Sequence, residues 1–229
     1  FLADMSHEIR TPMNGVLGFL DLIDQEVYES KEELHGFVEK ARAAAESLLD
    51  IINNILDISK IEAGRMELDT TDFALSEVLD EVVTMLTPLL SGKDLKIKTN
   101  VDKDVPSVLI GDPVRVRQIF ANLLGNAIKF SEVGTISIDV RLRSINAEHA
   151  VLDCSVKDQG IGIPAEKMEL LFKPYSQVNN SYTRMYSGTG LGLRISKELI
   201  NMMGGEIRVE SEEKKGTCFY FSMTLFLNQ

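Results

Sequence analysis

QIFANLLGNAIKF, residues 118–130, carries two kinds of side chain at helical spacing. Asn122, Asn126 and Lys129 fall at i, i+4 and i+7 on one face of a helix, and Ile119, Leu123, Ala127 and Phe130 fall on the other. Such a helix buries one side and offers three polar groups from the opposite one. Asparagine oxygens can ligate a hard cation such as Mg²⁺, and a lysine ammonium can meet a phosphate as a point charge. A plain solvated face would read the same way at this stage. Asp112 and Pro113 mark the start of the helix as N-cap and first helical residue.

Working outward, residues 134–143 and 149–157 alternate apolar and polar as a hairpin pair of strands. VKDQGIGIP, 156–164, ends the second strand on Asp158 and continues through Gly160 and Gly162. Glycines one residue apart let the backbone approach a flat ligand, and a carboxylate there can accept from an exocyclic amine, such as that of adenine. The same string also serves as an ordinary turn. SGTGLGLRIS, 187–196, runs Gly188, Gly190 and Gly192 into a helix, so backbone amides and a helix N-terminus can converge on phosphate oxygens. No GxxxxGK[ST] occurs, so this is no P-loop, and a Rossmann reading would need the glycines after the first strand of a βαβ unit. Helices over 76–90, 165–171 and 189–203 and strands over 95–101, 206–210 and 217–226 complete a mixed α/β layer, with helices on one face of the sheet.

Before residue 68 the pattern is different. From Lys31 to Ala63, the residues Leu34, Val38, Ala41, Ala45, Leu48, Ile52 and Ile55 advance by alternating steps of four and three, the seam of a long bundle helix. Residues 1–27 place Leu2, Met5, Ile9, Val16, Phe19, Leu20 and Ile23 at helical spacing, and Glu29-Ser30-Lys31 turns the chain back. Two amphipathic helices do not enclose a core alone, so the hairpin either packs on the rest of the chain or, the reading favoured here, pairs with a second copy as a dimeric four-helix bundle. Gly64 reads as the C-cap and Arg65–Asp72 as a linker. The expected fold class is α followed by α/β, with domains at 1–67 and 68–229.

The bulk properties of the 229 residues narrow the function classes. A net charge of −11 with no long basic block argues against a general nucleic-acid binder. Cys154 and Cys218 stand apart without a CxxC, which indicates packing residues rather than zinc ligands or a disulfide. No apolar run reaches membrane-spanning length, so no membrane contact is expected of these residues. The opening FLADMSHEIRTP is already inside a periodic pattern, and reads as a cytoplasmic fragment of a longer protein whose other segments hold an anchor or sensor.

His7, in SHEIRTP at 6–12, lies away from the Met5–Ile9 stripe and should face solvent or a partner domain. An exposed imidazole is a nucleophile when a neighbouring carboxylate takes its proton, and Glu8 is placed for that. Pro12 cannot donate to the carbonyl of Glu8, so the helix is expected to loosen there. Taken alone, a surface histidine is usually uncommitted.

FLADMSHEIRTPMNGVLG resembles the H-box of the HisKA-type dimerisation and phosphotransfer domain of sensor histidine kinases. With the later motifs, the order H, N, DxGxG, F and GxGxG resembles the complete set of histidine-kinase boxes, over nearly the whole chain. The resemblance implies a GHKL-type (Bergerat) α/β sandwich that binds ATP after the hairpin. It implies His7 as phosphate acceptor, Glu8 as base, and Thr11 as the residue that positions water when the receiver is dephosphorylated. It further implies Asn122 and Asn126 on Mg²⁺, Lys129 on the phosphates and Asp158 on the adenine amine. Gly160, Gly162, Gly188, Gly190, Leu191 and Gly192 fall in its glycine boxes, Phe172 in LLFKPYSQ in the F-box, residues 173–187 in the ATP lid, and Thr217 in the last box. The implied partners are a second copy of the chain and the aspartate of a response regulator or fused receiver, the wording SQVNNSYTRMYSGTGLGL being like that of hybrid kinases. ATP-hydrolysing relatives of the gyrase and mismatch-repair type carry a general-base Glu one turn before the metal-ligating Asn. Asn122 holds that place here, and an amide is not a base. A module that binds nucleotide without transferring phosphate is the other alternative, against which the His7–Glu8 pair speaks.

Overall fold

The computed structural model describes residues 2–172 and 190–227, with side chains from Met5 onward. The chain divides into two compact units, Phe1–Met66 and Glu67–Gln229.

The first unit is a helical hairpin. Helix α1 spans Leu2–Asp24, with Pro12 inside it. Helix α2 spans Lys31–Glu62, opened by Ser30, whose hydroxyl accepts from the Glu33 amide at 3.1 Å. Glu33 in turn accepts from the Glu29 amide at 2.8 Å, so the turn and the first turn of α2 hold each other. The helices run antiparallel, with the Cα of Gly15 close enough to α2 that a Cβ there would lie 3.4 Å from that of Ala44. One turn on, the Phe19 and Phe37 rings lie 6.2 Å apart.

Helix α2 ends on a Schellman motif, with its C-cap one residue earlier than expected. Ala63 is the C-cap, Gly64 takes φ +62°, the Arg65 amide donates to the Lys60 carbonyl and the Gly64 amide to that of Ile61. Helix α1 ends the same way, Val27 donating to Leu22 and Glu26 to Ile23, but the left-handed position is Glu26 at φ +53°. A Cβ in that conformation costs about 1–2 kcal/mol. Glu26→Gly is therefore expected to stabilise the hairpin by about 0.5–1 kcal/mol once glycine's extra chain entropy is subtracted. A rise in the thermal midpoint measures this; a fall would show that Glu26 is held by more than its backbone.

The second unit is a seven-stranded sheet of order β1-β3-β7-β5-β4-β2, with β6 also paired to β7. Strands β1 (Thr71–Phe73), β2 (Asp94–Val101), β3 (Leu109–Gly111), β4 (Val133–Ile145), β5 (His149–Lys157), β6 (Ile207–Glu212) and β7 (Gly216–Phe226) are antiparallel except where β2 runs parallel to β4. One face is buried, with Ile136, Ile138, Val140, Leu152, Val156, Phe221 and Met223 nearly inaccessible. The buried stripes of helices α3 (Leu75–Leu86), α4 (Pro113–Lys129) and α5 (Gly192–Met202) supply the rest of the core. Phe120 of α4 meets Phe221 of β7 edge-on at 5.2 Å between ring centroids.

Several expectations are corrected here. The helix expected over 76–90 breaks at Leu86, and Thr87–Leu90 is a 3₁₀ turn, because Pro88 has no amide proton to donate to the Thr84 carbonyl and its ring crowds that carbonyl. The expected helix at 165–171 is a 3₁₀ turn over Ala165–Leu170, and that at 189–203 begins only at Gly192. Strands β1 and β3 were not foreseen, and β1 claims the end of the expected linker. Cys154 and Cys218 are free and buried in the sheet, where burial pushes both thiols up, in keeping with packing residues.

Candidate functional site

A cluster of polar contacts surrounds Asp158, just past the end of β5. Its side chain is 6% exposed, and Oδ1 accepts from the amides of Gly160 at 2.8 Å and Thr217 at 3.1 Å. The Asp158 amide donates to the Thr217 carbonyl at 2.8 Å, so carboxylate and backbone are both tied to the start of β7. Burial raises the Asp158 pKa above its ordinary value, and the two backbone donors oppose that rise. The result is an aimed acceptor in a dry corner.

The glycines next to it approach the protein's own backbone. A Cβ on Gly160 would lie 2.2 Å from the Phe130 carbonyl oxygen, and one on Gly162, at φ +68°, would lie 2.0 Å from that of Glu212. The loop is clamped between the end of α4, where the Ile161 amide donates to the Phe130 carbonyl at 3.1 Å, and the β6–β7 turn, where the Lys214 amide donates to the Ile161 carbonyl at 2.7 Å. The glycines fix where Asp158 stands, a role the flat-ligand reading had not included.

Helix α4 begins at Asp112, whose carboxylate accepts from the Arg115 amide at 3.0 Å and also from that of Asp69 at 3.0 Å. Asn122, Asn126 and Lys129 are half-buried, while Ile119, Leu123 and Ala127 are in the core. Phe130 is the C-cap rather than part of the buried face. The Asn122 amide nitrogen donates to the Gly192 carbonyl at 3.2 Å and lies 3.3 Å from Ser196 Oγ, joining α4 to the first turn of α5. Gly192 packs closely there, since a Cβ would stand 3.0 Å from Asn122 Oδ1. Gly190 takes φ +64°, and Leu191, 2% exposed, seats the start of α5 in the core. Phe172 is half-buried with the Lys197 ammonium 5.4 Å from its ring centroid. Gly188 and the segment 173–187 expected as the lid lie outside the described residues.

On α1, His7 is exposed and Glu8 half-buried. The Thr11 hydroxyl donates back to the His7 carbonyl at 3.2 Å, four residues earlier. Among the described residues no helix is long and apolar enough to cross a membrane.

Three positioning residues escaped the sequence reading. Ser211 Oγ accepts from the Ile163 amide at 2.8 Å and lies 2.9 Å from both the Gly216 carbonyl and Thr217 Oγ1, joining the Asp158 loop to β7. Gln159 Oε1 accepts from the Thr135 amide at 2.8 Å, fastening the same loop to β4. Lys93 caps α4. A signal existed for the first of these, because Ser211 takes the core-facing register of Ile207 and Val209 in IRVESE. The other two bind backbone groups remote in sequence, which leave no pattern.

Residues 1–64 match the His Kinase A (phospho-acceptor) domain, and residues 111–227 match the histidine kinase-, DNA gyrase B- and HSP90-like ATPase family, which implies ATP binding. The chain is 47% identical over 226 residues to the sensor protein GacS of Pseudomonas syringae pv. syringae, covering 98% of this chain and 25% of that protein. It is 43% identical over 229 residues to the signal transduction histidine-protein kinase BarA of Escherichia coli, covering 100% of this chain and 25% of that protein. The chain thus spans about a quarter of the length of these curated relatives. Its fold matches that of full-length ShkA in complex with AMPPNP, at a TM-score of 0.72 and 28% identity, covering 100% of this chain and 46% of that one. With a phospho-acceptor domain and a kinase-type ATPase domain in one chain, and whole-chain likeness to sensor kinases, this protein belongs to the histidine kinase family.

Proposed function

We propose that the chain transfers the γ-phosphoryl group of ATP to His7 and from there to the aspartate of a receiver domain. The single observation that carries the nucleotide half of this reading is Asp158, whose buried carboxylate is oriented by two backbone amides. Its remaining acceptor capacity suits the exocyclic amine of adenine. Thr217 holds that carboxylate, Gly160 and Gly162 place it, and Phe172 borders the site. Lys129 and the amides around Gly188, Gly190, Leu191 and Gly192 meet the phosphates. Asn122 and Asn126 are the residues that would hold Mg²⁺ through their amide oxygens, and the cation would there offset charge on the phosphates. The Asn122 nitrogen also joins α4 to α5, which leaves its amide oxygen as the atom for the cation.

In the transfer, an imidazole nitrogen of His7 attacks the γ-phosphorus in line. The N–P bond forms as the bond from phosphorus to the ADP oxygen breaks, and Glu8 takes the imidazole proton. No carboxylate stands at position 122 to activate water instead. The receiver aspartate then accepts the phosphoryl group. In the reverse regulatory direction, Thr11 would position water at the phosphorylated receiver, its hydroxyl donating to the His7 carbonyl and keeping lone pairs to accept from that water.

The first unit acts as a homodimer. Its hairpin leaves Met13, Leu17 and Leu20 of α1 and Val38, Leu49, Ile52 and Leu56 of α2 between 39% and 59% exposed, a stripe spaced for a bundle seam. Leu49→Glu is expected to convert a dimer to a monomer in light scattering, since a carboxylate in that seam would be buried without a partner. A variant that stays dimeric would remove α2 from the interface. The test of the function itself is labelling by γ-labelled ATP with Mg²⁺, taken up below.

A further inference from the structure

We infer that Lys93 is a positioning residue for the nucleotide site, holding the end of α4 in the shape that binding requires. The inference rests on the ATP reading above. Lys93 follows the 3₁₀ turn and immediately precedes β2, whose first residue, Asp94, pairs with Val133 and donates to the Glu132 carbonyl at 3.0 Å. That register delivers the Lys93 side chain beneath the C-terminus of α4. Its ammonium donates to the carbonyls of Ile128 at 2.8 Å and Ser131 at 2.9 Å, and pairs with Glu132 at 3.2 Å. The lysine side chain is only 15% exposed, while that of Glu132 is 63% exposed. The last carbonyls of a helix have no partner within it, and a cation there also complements the helix dipole.

This turn carries more than its own stability. Between the two carbonyls that Lys93 holds lie Lys129, proposed to meet the phosphates, and Phe130. The Phe130 carbonyl receives the Ile161 amide and stands where a Cβ on Gly160 would collide. The Asp158 loop is therefore packed on the segment 128–132, and Ser131, 1% exposed, is packed against the same glycine. A shift of the turn moves Lys129 and Asp158 together. Without Lys93, the carbonyls of Ile128 and Ser131 would seek other donors and the turn would sample shapes unable to bind. Nucleotide affinity falls in proportion to the competent fraction.

The test measures affinity for a fluorescent trinitrophenyl-ATP with Mg²⁺ on the whole chain, at a temperature where circular dichroism shows each variant folded. Lys93→Met is expected to weaken binding about tenfold, as if about a tenth of the molecules were competent. Lys93→Gln, which keeps a donor without the charge, should fall between and serves if the methionine variant does not fold. Lys93→Arg should recover most of the loss. Glu132→Gln should bind as wild type, because an exposed ion pair contributes little. In the labelling reaction the loss should appear in the KM for ATP, with the rate at saturating ATP nearly kept. Wild-type affinity in Lys93→Met or Lys93→Gln would overturn the inference. So would a reduced active fraction with unchanged KM, the mark of simple destabilisation. A wild-type chain that bound no nucleotide would overturn the ATP reading, and the inference with it.

Discussion

His7→Gln is expected to reduce labelling from γ-labelled ATP to background while leaving nucleotide affinity unchanged. The reason is chemical: a glutamine nitrogen shares its lone pair with the carbonyl and cannot form the N–P bond that imidazole forms. Loss of a nucleophile removes the product, whereas loss of a base or a positioning group slows its formation. His7 belongs to the helical hairpin and is exposed, so the substitution costs the fold little. Affinity should persist because every group proposed to hold the nucleotide before transfer lies in the second unit. Acid-labile labelling retained in His7→Gln would assign the acceptor elsewhere, with His35 and His149 the other histidines in the sequence.

The second large effect is expected at Asp158. Asp158→Asn keeps the volume and one carbonyl oxygen able to accept from Gly160 and Thr217, but its other atom becomes a donor facing the adenine amine. The buried mismatch is expected to cost about 1.5–3 kcal/mol, roughly 10- to 150-fold in affinity. Acid provides an independent check on the same group. Burial holds the Asp158 pKa above its ordinary value, so protonation removes the acceptor at a pH where exposed carboxylates remain ionised. Affinity should therefore be fully present above the raised pKa and lost as the pH falls through it, and Asp158→Asn should lack that step. Calorimetric titration with ATP across the acid range measures both. Normal affinity in the variant would place adenine elsewhere.

The large elements were legible because periodicity survives in a single sequence. The steps of four and three in α2, the alternation in β4 and β5, and the Asp112-Pro113 cap each state a local structure that the fold keeps. Strands β1 and β3 escaped because three residues are too few to display a period, and their pairing partners lie far along the chain. Asp158 and its glycines were legible as a string, yet their mechanical reason was not. What Gly160 and Gly162 avoid is the carbonyls of Phe130 and Glu212, which only the tertiary fold brings near. Lys93 shows the same limit more sharply. In SGKDLKIK it is one lysine of three, and its task depends on carbonyls 35 and 38 residues away. Asn122 was read as a cation ligand and as the place of a missing base; the fold adds a bond to the start of α5.

The central claim is that phosphate passes from ATP to an imidazole and not to water or a hydroxyl. The most direct test incubates the wild-type chain with γ-labelled ATP and Mg²⁺, divides the labelled protein between acid and alkali, and locates the label by mass spectrometry. The account predicts a label on His7 that survives alkali and is lost in acid, formed without matching release of inorganic phosphate. An acid-stable label, or phosphate released with no label on the protein, would contradict it.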